Sequence, residues 1–291
     1  MDSGERDNRR RFVFEHSHVR GEVVHLDATW RAVLEREDYP PAVRDLLGEA
    51  MAAAALLAST VKLDGSLIIQ FHSTGPVYLL VVECTAERTL RGLARWHEPL
   101  EGRGGLLGTG RVAITIDPGG DAERYQGIVE LDGERPADAV EAYFRRSEQI
   151  DTRLWLAADG ARAAGLLLQA LPGHETSPDA WSRAVHLAAT VTERELLKLP
   201  VAALLKRLYH EDDLRLFDSE PLAFRCRCSR GRVEEVLRRF GYQEMRALLD
   251  ERDEVEVTCE YCNQRYVFDP VDIERLFAAA RSQPRVPPTR H

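Results

Sequence analysis

The amino-acid sequence of 291 residues predicts an α+β fold in several parts. Short apolar segments separated by turns fill most of residues 1–175, which indicates an N-terminal mixed α/β core domain with a large sheet. Residues 176–224 have a helical pattern, so we expect a helical linker there. Four of the five cysteines lie in residues 225–282, which predicts a small C-terminal domain organised by cysteines. The proline-containing tail 283–291 is expected to be disordered.

The predicted core domain begins with strands and helices. Apolar β-formers predict strands at 12–14 and 20–26, and a helix follows to about Glu37. A second helix is expected over 42–62, and its alanine-rich run at 50–58 is apolar nearly all round, which favours a central, buried helix. Turns rich in glycine and proline then bound five more predicted strands, which cover 67–71, 77–84, 90–96, 112–116 and 125–131.

The remaining elements change from a mixed pattern to a helical one. A helix at 137–147 and strands at 152–157 and 164–171 complete the predicted core domain. The linker is expected to contain helical segments at 181–191, 195–199 and 201–209, followed by a short strand at 214–216. The C-terminal domain is expected to contain helices at 233–240 and 242–249 and a hairpin formed by 254–258 and 265–268.

Two cysteine pairs carry the strongest chemical signal in the sequence. One residue separates Cys226 from Cys228, two residues separate Cys259 from Cys262, and about thirty residues lie between the pairs. Four thiolates from two close pairs match the ligand set of a tetrahedral zinc site. We therefore predict one zinc ion bound by these four cysteines, which makes residues 225–282 a zinc-binding domain.

A closed four-cysteine zinc site is most often purely structural, but two features favour a redox role here. A disulfide between Cys226 and Cys228 would close a very small, strained ring, and strained disulfides are the labile, regulatory ones. Positive charge near the first pair should also favour the reactive thiolate forms. The arginines concerned are Arg225, Arg227, Arg230 and Arg232. The site is therefore expected to bind zinc when reduced and to be able to oxidise pair by pair.

Composition excludes several other classes of protein. The net charge of −9 argues against nucleic acid as the main partner. The first residues lack the apolar segment of a secretion signal, and the longest apolar run, 51–58, is too short to span a bilayer, so we expect a cytosolic protein without a membrane partner. The glycine-rich loop at 102–110 lacks the lysine of a nucleotide-binding P-loop. Cys84 is expected to be a buried core thiol.

Two alternative functions use the same cysteines. The first is a dithiol–disulfide oxidoreductase that uses Cys259 and Cys262, although this pair is predicted in a hairpin turn and not at the start of a helix in a βαβ unit. The second is a structural zinc module that binds nucleic acid through the arginines of residues 225–232, which the acidic chain opposes. No hydrolytic triad is predicted, and we expect a protein that is not an enzyme.

Several sequence motifs together resemble the heat-shock protein 33 (Hsp33) family of redox-regulated bacterial chaperones, also called 33 kDa chaperonins. The resemblance extends over essentially the whole chain and includes both cysteine pairs. The motifs that carry it are Phe14-Glu15 and the segments at 19–22, 38–40, 123–127, 143–149, 208–211, 224–230 and 259–262.

The resemblance implies a mechanism. Reduced protein would be an inactive monomer in which Cys226, Cys228, Cys259 and Cys262 bind one zinc ion. Oxidants would form the disulfides Cys226–Cys228 and Cys259–Cys262 and release zinc. The linker and the C-terminal domain would then unfold, expose an apolar surface that holds unfolding client proteins without ATP, and allow the activated protein to form a homodimer. We expect the Cys259–Cys262 disulfide to form first, because its larger ring is less strained.

Overall fold

A computed structural model describes residues 6–60, 64–100, 105–120, 122–131, 134–171 and 178–281. The chain divides into two compact units, Met1–Arg225 and Cys226–His291. The predicted disordered tail at 283–291, the last residues of the helix predicted over 42–62 and part of the glycine-rich loop lie outside the described residues. The α+β fold class predicted from the sequence is confirmed.

The first unit contains two β-sheets. The five-stranded sheet consists of β1 (Asn8–Phe14), β2 (Val19–Leu26), β8 (Thr152–Ala158), β9 (Ala163–Ala170) and β10 (Leu214–Pro221). Its strand order is β10-β1-β2-β9-β8, and its paired strands are antiparallel.

The six-stranded sheet consists of β3 (Ser66–Ser73), β4 (Val77–Thr85), β5 (Thr89–Trp96), β6 (Gly110–Asp117), β7 (Tyr125–Glu130) and β11 (Ala223–Phe224). Its strand order is β11-β5-β4-β3-β6-β7, and among these described strands only β11 runs parallel to its neighbour.

A buried, alanine-rich helix lies in the core of this unit. Helix α2 (Pro41–Thr60) contacts strands of both sheets, including β9 and β4, and its residues from Val43 to Ala58 are buried with few exceptions. Small side chains let the strands approach the helix closely: a Cβ on Gly48 would lie 2.5 Å from the Cβ of Ala158. The predicted central helix is therefore confirmed. No helix in the described parts of the chain has both the length and the apolar character needed to cross a membrane.

Shorter helices complete the first unit: α1 (Ala28–Leu34), α3 (Pro136–Tyr143), α4 (Pro178–Ala188), α5 (Glu193–Lys198) and α6 (Val201–Leu208). Helix α1 ends three residues before the predicted end at Glu37, because the chain turns toward Pro40 and Pro41, and a residue that precedes proline is disfavoured in helical geometry. Helix α3 is followed by one π-helical turn at Phe144–Glu148, where the predicted helix continued to 147.

The helices of the predicted linker pack on the five-stranded sheet through a second apolar core. Leu196 of α5 and Leu204 of α6 are buried in one cluster with Phe12 and Leu166 of the sheet. Tyr209, which follows α6, adds an edge-on ring contact with Phe14 at 4.9 Å, and its hydroxyl donates to the Ala184 carbonyl at 3.1 Å. These helices therefore cover an apolar sheet face that would otherwise meet water.

The linker also contributes strands to both sheets. The strand expected at 214–216 extends to Pro221, because it pairs with β1 along its whole length. Arg9 of β1 holds its far end: the Nε atom lies 2.7 Å from a carboxylate oxygen of Glu220 and 3.5 Å from one of Glu22. Strand β11 then pairs with β5. The division between a core domain at 1–175 and a linker at 176–224 stays a prediction.

The second unit is small. It consists of α7 (Arg230–Phe240), α8 (Tyr242–Glu251), the antiparallel hairpin β12 (Val255–Thr258) and β13 (Arg265–Phe268), and α9 (Pro270–Arg281). Its buried apolar cluster contains Leu237, Met245, Val255, Phe268, Ile273, Leu276 and Phe277. Helix α7 begins at Arg230, three residues before the predicted start, because the Ser229 hydroxyl accepts the Arg232 backbone N–H at 3.3 Å and caps the helix.

The packing of the linker helices generates a first prediction. Leu204→Ala is expected to destabilise the first unit by about 2–5 kcal/mol, because it leaves a cavity between α6 and the sheet. Urea unfolding followed by tryptophan fluorescence checks this, since all four tryptophans lie in this unit. Lys206→Ala, on the exposed side of the same helix, is the control and should change stability by less than about 0.5 kcal/mol. Equal effects of the two substitutions would contradict the described packing.

Candidate metal centre

The four clustered cysteines come from two short segments of the second unit. Cys226 and Cys228 lie in the extended segment before α7. Cys259 and Cys262 lie in the turn that joins β12 to β13, where the Cys259 N–H donates to the Gln264 carbonyl at 3.0 Å and the Asn263 N–H donates to the Cys259 carbonyl at 2.8 Å. This pair therefore lies in a hairpin turn, as predicted, and not at the start of a helix as in thioredoxin-like enzymes.

The four sulfur atoms converge. All lie within 4.8 Å of one another. The distance between the sulfurs of Cys226 and Cys259 is 3.6 Å, and that between the sulfurs of Cys228 and Cys262 is 3.3 Å. A tetrahedral zinc site with bonds of about 2.3 Å has sulfur atoms about 3.8 Å apart, so the cluster has nearly the required size. All four thiols are partly buried and none forms a disulfide.

Backbone N–H groups point at three of the sulfurs. The Cys228 N–H donates to Cys226, the N–H groups of Tyr261 and Cys262 donate to Cys259, and the Gln264 N–H donates to Cys262. Such hydrogen bonds stabilise negative charge on sulfur, which a metal-binding thiolate carries. A soft, all-thiol donor set at these distances fits zinc, and the cluster could hold one metal ion.

The cysteine pKa values differ within the cluster. Burial raises the pKa of Cys226, but hydrogen bonds from the Cys228 N–H and from the neighbouring thiols outweigh it and lower that pKa to about 7. Burial raises the pKa values of Cys259 and Cys262 above the ordinary thiol value. The thiols are therefore not equivalent, and Cys226 has a lower pKa than Cys259 and Cys262.

The arginines near the first pair have roles that the sequence analysis did not predict. The Arg230 guanidinium lies 4.2 Å from the centre of the Phe268 ring, donates to the Val267 carbonyl at 2.8 Å and pairs with Asp272 at 2.6 Å. Arg232 donates to the Arg227 carbonyl at 2.7 Å. These contacts fasten the start of α7 to the hairpin and to α9. The main causes that lower the Cys226 pKa are hydrogen bonds, where arginine charge had been expected.

Sequence reasoning missed one side chain of the cluster and one helix near it. The Tyr266 hydroxyl of β13 donates to the Cys228 sulfur at 3.2 Å, and this hydrogen bond, with burial, raises the pKa of Tyr266 to about 12. A lone tyrosine in a strand carries no sequence signal for such a contact. Helix α9 did carry a signal: Pro270 suits a first helical turn, and apolar residues follow at positions 273, 276 and 277.

The fifth cysteine is separate from this cluster. Cys84 lies in β4 of the first unit, fully buried, and burial raises the pKa of its thiol to about 12. A thiol with so high a pKa is almost wholly protonated at neutral pH and reacts slowly with oxidants. The prediction of a buried core thiol is confirmed.

Comparisons with known proteins identify close relatives. The model of the family described as Hsp33 protein matches residues 7–269. A 33 kDa chaperonin from Nitrosococcus oceani is 50% identical over 289 residues, which cover 98% of this chain and 99% of the relative. One from Pseudomonas syringae pv. tomato is 48% identical over 282 residues, which cover 94% of each chain. The crystal structure of a 33 kDa chaperonin from Thermotoga maritima superposes with a TM-score of 0.81 at 20% identity, over 95% of this chain and 100% of that one.

The backbone of the hairpin turn generates a second prediction. Asn263 has a φ of 56°, in the left-handed region that asparagine and glycine tolerate best. Asn263→Ala is expected to cost about 1 kcal/mol in the folded turn, which corresponds to about fivefold weaker zinc binding in a competition titration. Asn263→Gly is the matched control and should bind zinc nearly as well as the unsubstituted protein. An equal loss in both variants would show that the asparagine side chain, and not the backbone geometry, is what the turn requires.

Proposed function

The chain belongs to the Hsp33 family, and on that premise we propose that it is a redox-regulated, ATP-independent holdase that protects unfolding and oxidatively damaged proteins from aggregation. The relatives are chaperonins, a class of proteins that are not enzymes. The observation that carries the redox part of the proposal is the convergence of four thiols within 4.8 Å in a unit with a small core.

In the proposed inactive state, Cys226, Cys228, Cys259 and Cys262 bind one zinc ion. Zinc bound to four thiolates would cross-link the segment before α7 to the hairpin turn. Zinc binding to small peptide modules supplies about 10–16 kcal/mol, whereas a whole domain is usually stable by about 5–15 kcal/mol. Because the second unit has only a small apolar cluster around residues such as Phe268 and Ile273, its folding is expected to depend on the metal.

Oxidation would remove the ligands. When hydrogen peroxide oxidises one pair of thiolates, the two sulfurs lose two electrons and form one S–S bond, while the peroxide gains those two electrons, its O–O bond breaks, and with two protons from the buffer it becomes two water molecules. We assign the disulfides to Cys226–Cys228 and Cys259–Cys262. A sulfur in a disulfide is no longer an anionic ligand, so zinc would be released and the second unit would lose its cross-link.

The linker would then expose the client-binding surface. Helices α5 and α6 bury Leu196 and Leu204 against Phe12 and Leu166 of the five-stranded sheet. If the linker unfolds together with the second unit, both of these apolar faces become accessible, and they suit unfolded client segments that expose apolar residues. We propose that the activated molecules form a homodimer and that the reduced form is a monomer.

The chemistry of the site also suggests a compartment and a class of partner. Free thiols and a zinc centre persist in the reducing cytoplasm, where a burst of oxidant would act as a signal. Arg230 and Arg232 are occupied by contacts within the second unit, which disfavours the alternative of a nucleic-acid-binding module. Unfolded proteins are therefore the proposed partners, in the cytoplasm.

The proposed switch generates a third prediction. Reduced, zinc-loaded protein is treated with peroxide at mild heat, zinc release is followed with a colorimetric chelator, and the protein is then added to a thermally unfolding test protein whose aggregation is followed by light scattering. We expect about one zinc per chain to be released and aggregation to be suppressed only after oxidation. Cys228→Ser and Cys262→Ser are each expected to bind zinc much more weakly, because each removes one thiolate ligand.

Cys84→Ser is the control for these substitutions, since Cys84 is buried in the first unit and should leave zinc content and activation unchanged. If zinc stays bound in peroxide, or is released without suppression of aggregation, the site is only a structural cross-link. Catalysed reduction of a disulfide substrate would instead favour the oxidoreductase alternative.

The strand β10 generates a fourth prediction. Burial opposes ionisation of Glu220, but the hydrogen bond from Arg9 outweighs it and lowers the pKa of Glu220 below the ordinary value. The ion pair therefore stabilises the docked strand above the ordinary carboxyl pKa of about 4.3, and this contribution is lost as the pH falls. Glu220→Gln at pH 7 is expected to weaken docking by about 1 kcal/mol, since Glu220 is partly exposed, and to speed proteolysis of β10.

Asp218→Asn, an exposed position on the same strand, is the matched control for this substitution and should leave the proteolysis rate unchanged. As the pH falls through the lowered pKa of Glu220, below the ordinary carboxyl value, the unsubstituted protein should approach the rate of the Glu220→Gln variant. If the Glu220→Gln variant and the unsubstituted protein are cleaved at the same rate at pH 7, the ion pair does not contribute and backbone pairing alone holds the strand.

A further inference from the structure

One side-chain hydroxyl in the second unit is directed at a cluster sulfur. Tyr266 lies in β13 opposite Val257 of β12, and its ring packs against the buried apolar cluster of the unit. The hairpin register and this packing fix the direction of the ring. Its hydroxyl donates to the Cys228 sulfur at 3.2 Å.

This donor differs in kind from the donors to the other sulfurs. Cys226, Cys259 and Cys262 accept backbone N–H groups, which are present whatever the side chains are. The donor to Cys228 is a side-chain hydroxyl, which a single substitution can remove without changing the backbone. The strength of the interaction at this sulfur is therefore set by the residue at position 266.

A hydrogen bond to a thiolate has two chemical effects. It stabilises the negative charge on sulfur, which favours the thiolate as a metal ligand. It also withdraws electron density from the lone pairs of sulfur, which makes the thiolate a weaker nucleophile toward an oxidant. Both effects keep Cys228 in the metal-bound, reduced state.

We propose that Tyr266 is a positioning residue that sets how much peroxide the Cys226–Cys228 pair tolerates before it oxidises. This inference rests on the proposed redox function, and it names a residue that sets the peroxide concentration at which the pair oxidises. When the Cys228 thiolate attacks peroxide, an S–O bond forms, the O–O bond breaks and hydroxide leaves. The Cys226 thiolate then attacks the Cys228 sulfur, an S–S bond forms, the S–O bond breaks and a second hydroxide leaves, and two protons from the buffer convert the two hydroxides to water. The Tyr266 hydroxyl slows the first step because it occupies a lone pair of the attacking sulfur.

The test compares Tyr266→Phe with Tyr242→Phe. Both substitutions remove one hydroxyl from the second unit and keep the aromatic ring, but the Tyr242 hydroxyl donates to a carboxylate oxygen of Glu274 in α9. Zinc release from each full-length, zinc-loaded protein is measured with a colorimetric chelator at several peroxide concentrations. Formation of the Cys226–Cys228 disulfide is followed in the same samples by mass spectrometry of alkylated peptides. The slope of its rate against peroxide concentration reports attack by the Cys228 sulfur, whereas the intercept of zinc release at zero peroxide reports simple loss of metal.

We expect Tyr266→Phe to raise the slope about threefold, because the lone pair that the hydroxyl occupied on the attacking sulfur becomes available. We expect it to weaken zinc binding by about tenfold, as loss of a hydrogen bond to a ligand commonly does. Tyr242→Phe should leave the slope unchanged. With cobalt(II) in place of zinc, the sulfur-to-metal charge-transfer bands should shift in Tyr266→Phe and stay in place in Tyr242→Phe.

Three other outcomes would contradict the role proposed for Tyr266. A rise in the intercept alone, with the slope and the cobalt bands unchanged, would make Tyr266 an ordinary packing residue and would refute the proposal. Equal slopes in Tyr266→Phe and the unsubstituted protein would refute it too, while the proposed redox function would stand. If peroxide releases no zinc from the unsubstituted protein, the proposed function itself fails, and the role assigned to Tyr266 fails with it.

Discussion

The convergence of four sulfur atoms within 4.8 Å is the constraint on which the second unit depends. Four thiolates this close repel one another, and without a cation between them the negative charge is limited to a fraction of the sites. Burial raises the pKa values of Cys259 and Cys262, whereas at Cys226 hydrogen bonds outweigh burial and lower the pKa. A bound divalent cation would therefore stabilise the cluster, and in the proposed switch its loss or the oxidation of the thiols would destabilise a unit whose apolar cluster is small.

In the first unit, the core around helix α2 and the elements α5, α6 and β10 are held by different contacts. Helix α2 lies buried against strands of both sheets, whereas α5, α6 and β10 are held by a second apolar cluster, by the pairing of β10 with β1 and by side-chain contacts such as the Arg9–Glu220 ion pair and the His25–Leu196 hydrogen bond at 2.9 Å. Along the chain, Cys226 directly follows the two-residue strand β11, which follows β10. Loss of order at Cys226 would therefore affect the two-residue strand β11 first and then β10, because these segments are consecutive in the chain.

The predictable parts of the structure are those that local patterns encode. The buried helix α2 and the hairpin turn with Cys259 and Cys262 follow from an apolar run and from residue spacing, and both were predicted. The extent of β10 was underestimated, because its exposed residues alternate only weakly and its pairing with β1 is a contact across about two hundred residues. The contact of Tyr266 with Cys228 depends on hairpin register and on the fold of the segment before α7, and no pattern within either segment specifies it.

The cluster sulfurs accept hydrogen bonds from two kinds of donor, which differ in how a change of sequence can alter them. Backbone N–H groups directed at Cys226, Cys259 and Cys262 come with the turn geometry, so any sequence that forms these turns obtains them. A side-chain donor such as the Tyr266 hydroxyl can be lost, weakened or replaced while the turns stay the same. Because the rate of thiolate attack depends on the electron density of one sulfur, a single such donor can change the rate of oxidation without rebuilding the site. In the proposed redox switch, such a donor would therefore adjust the zinc affinity and the sensitivity to oxidant while the four cysteine ligands stay the same.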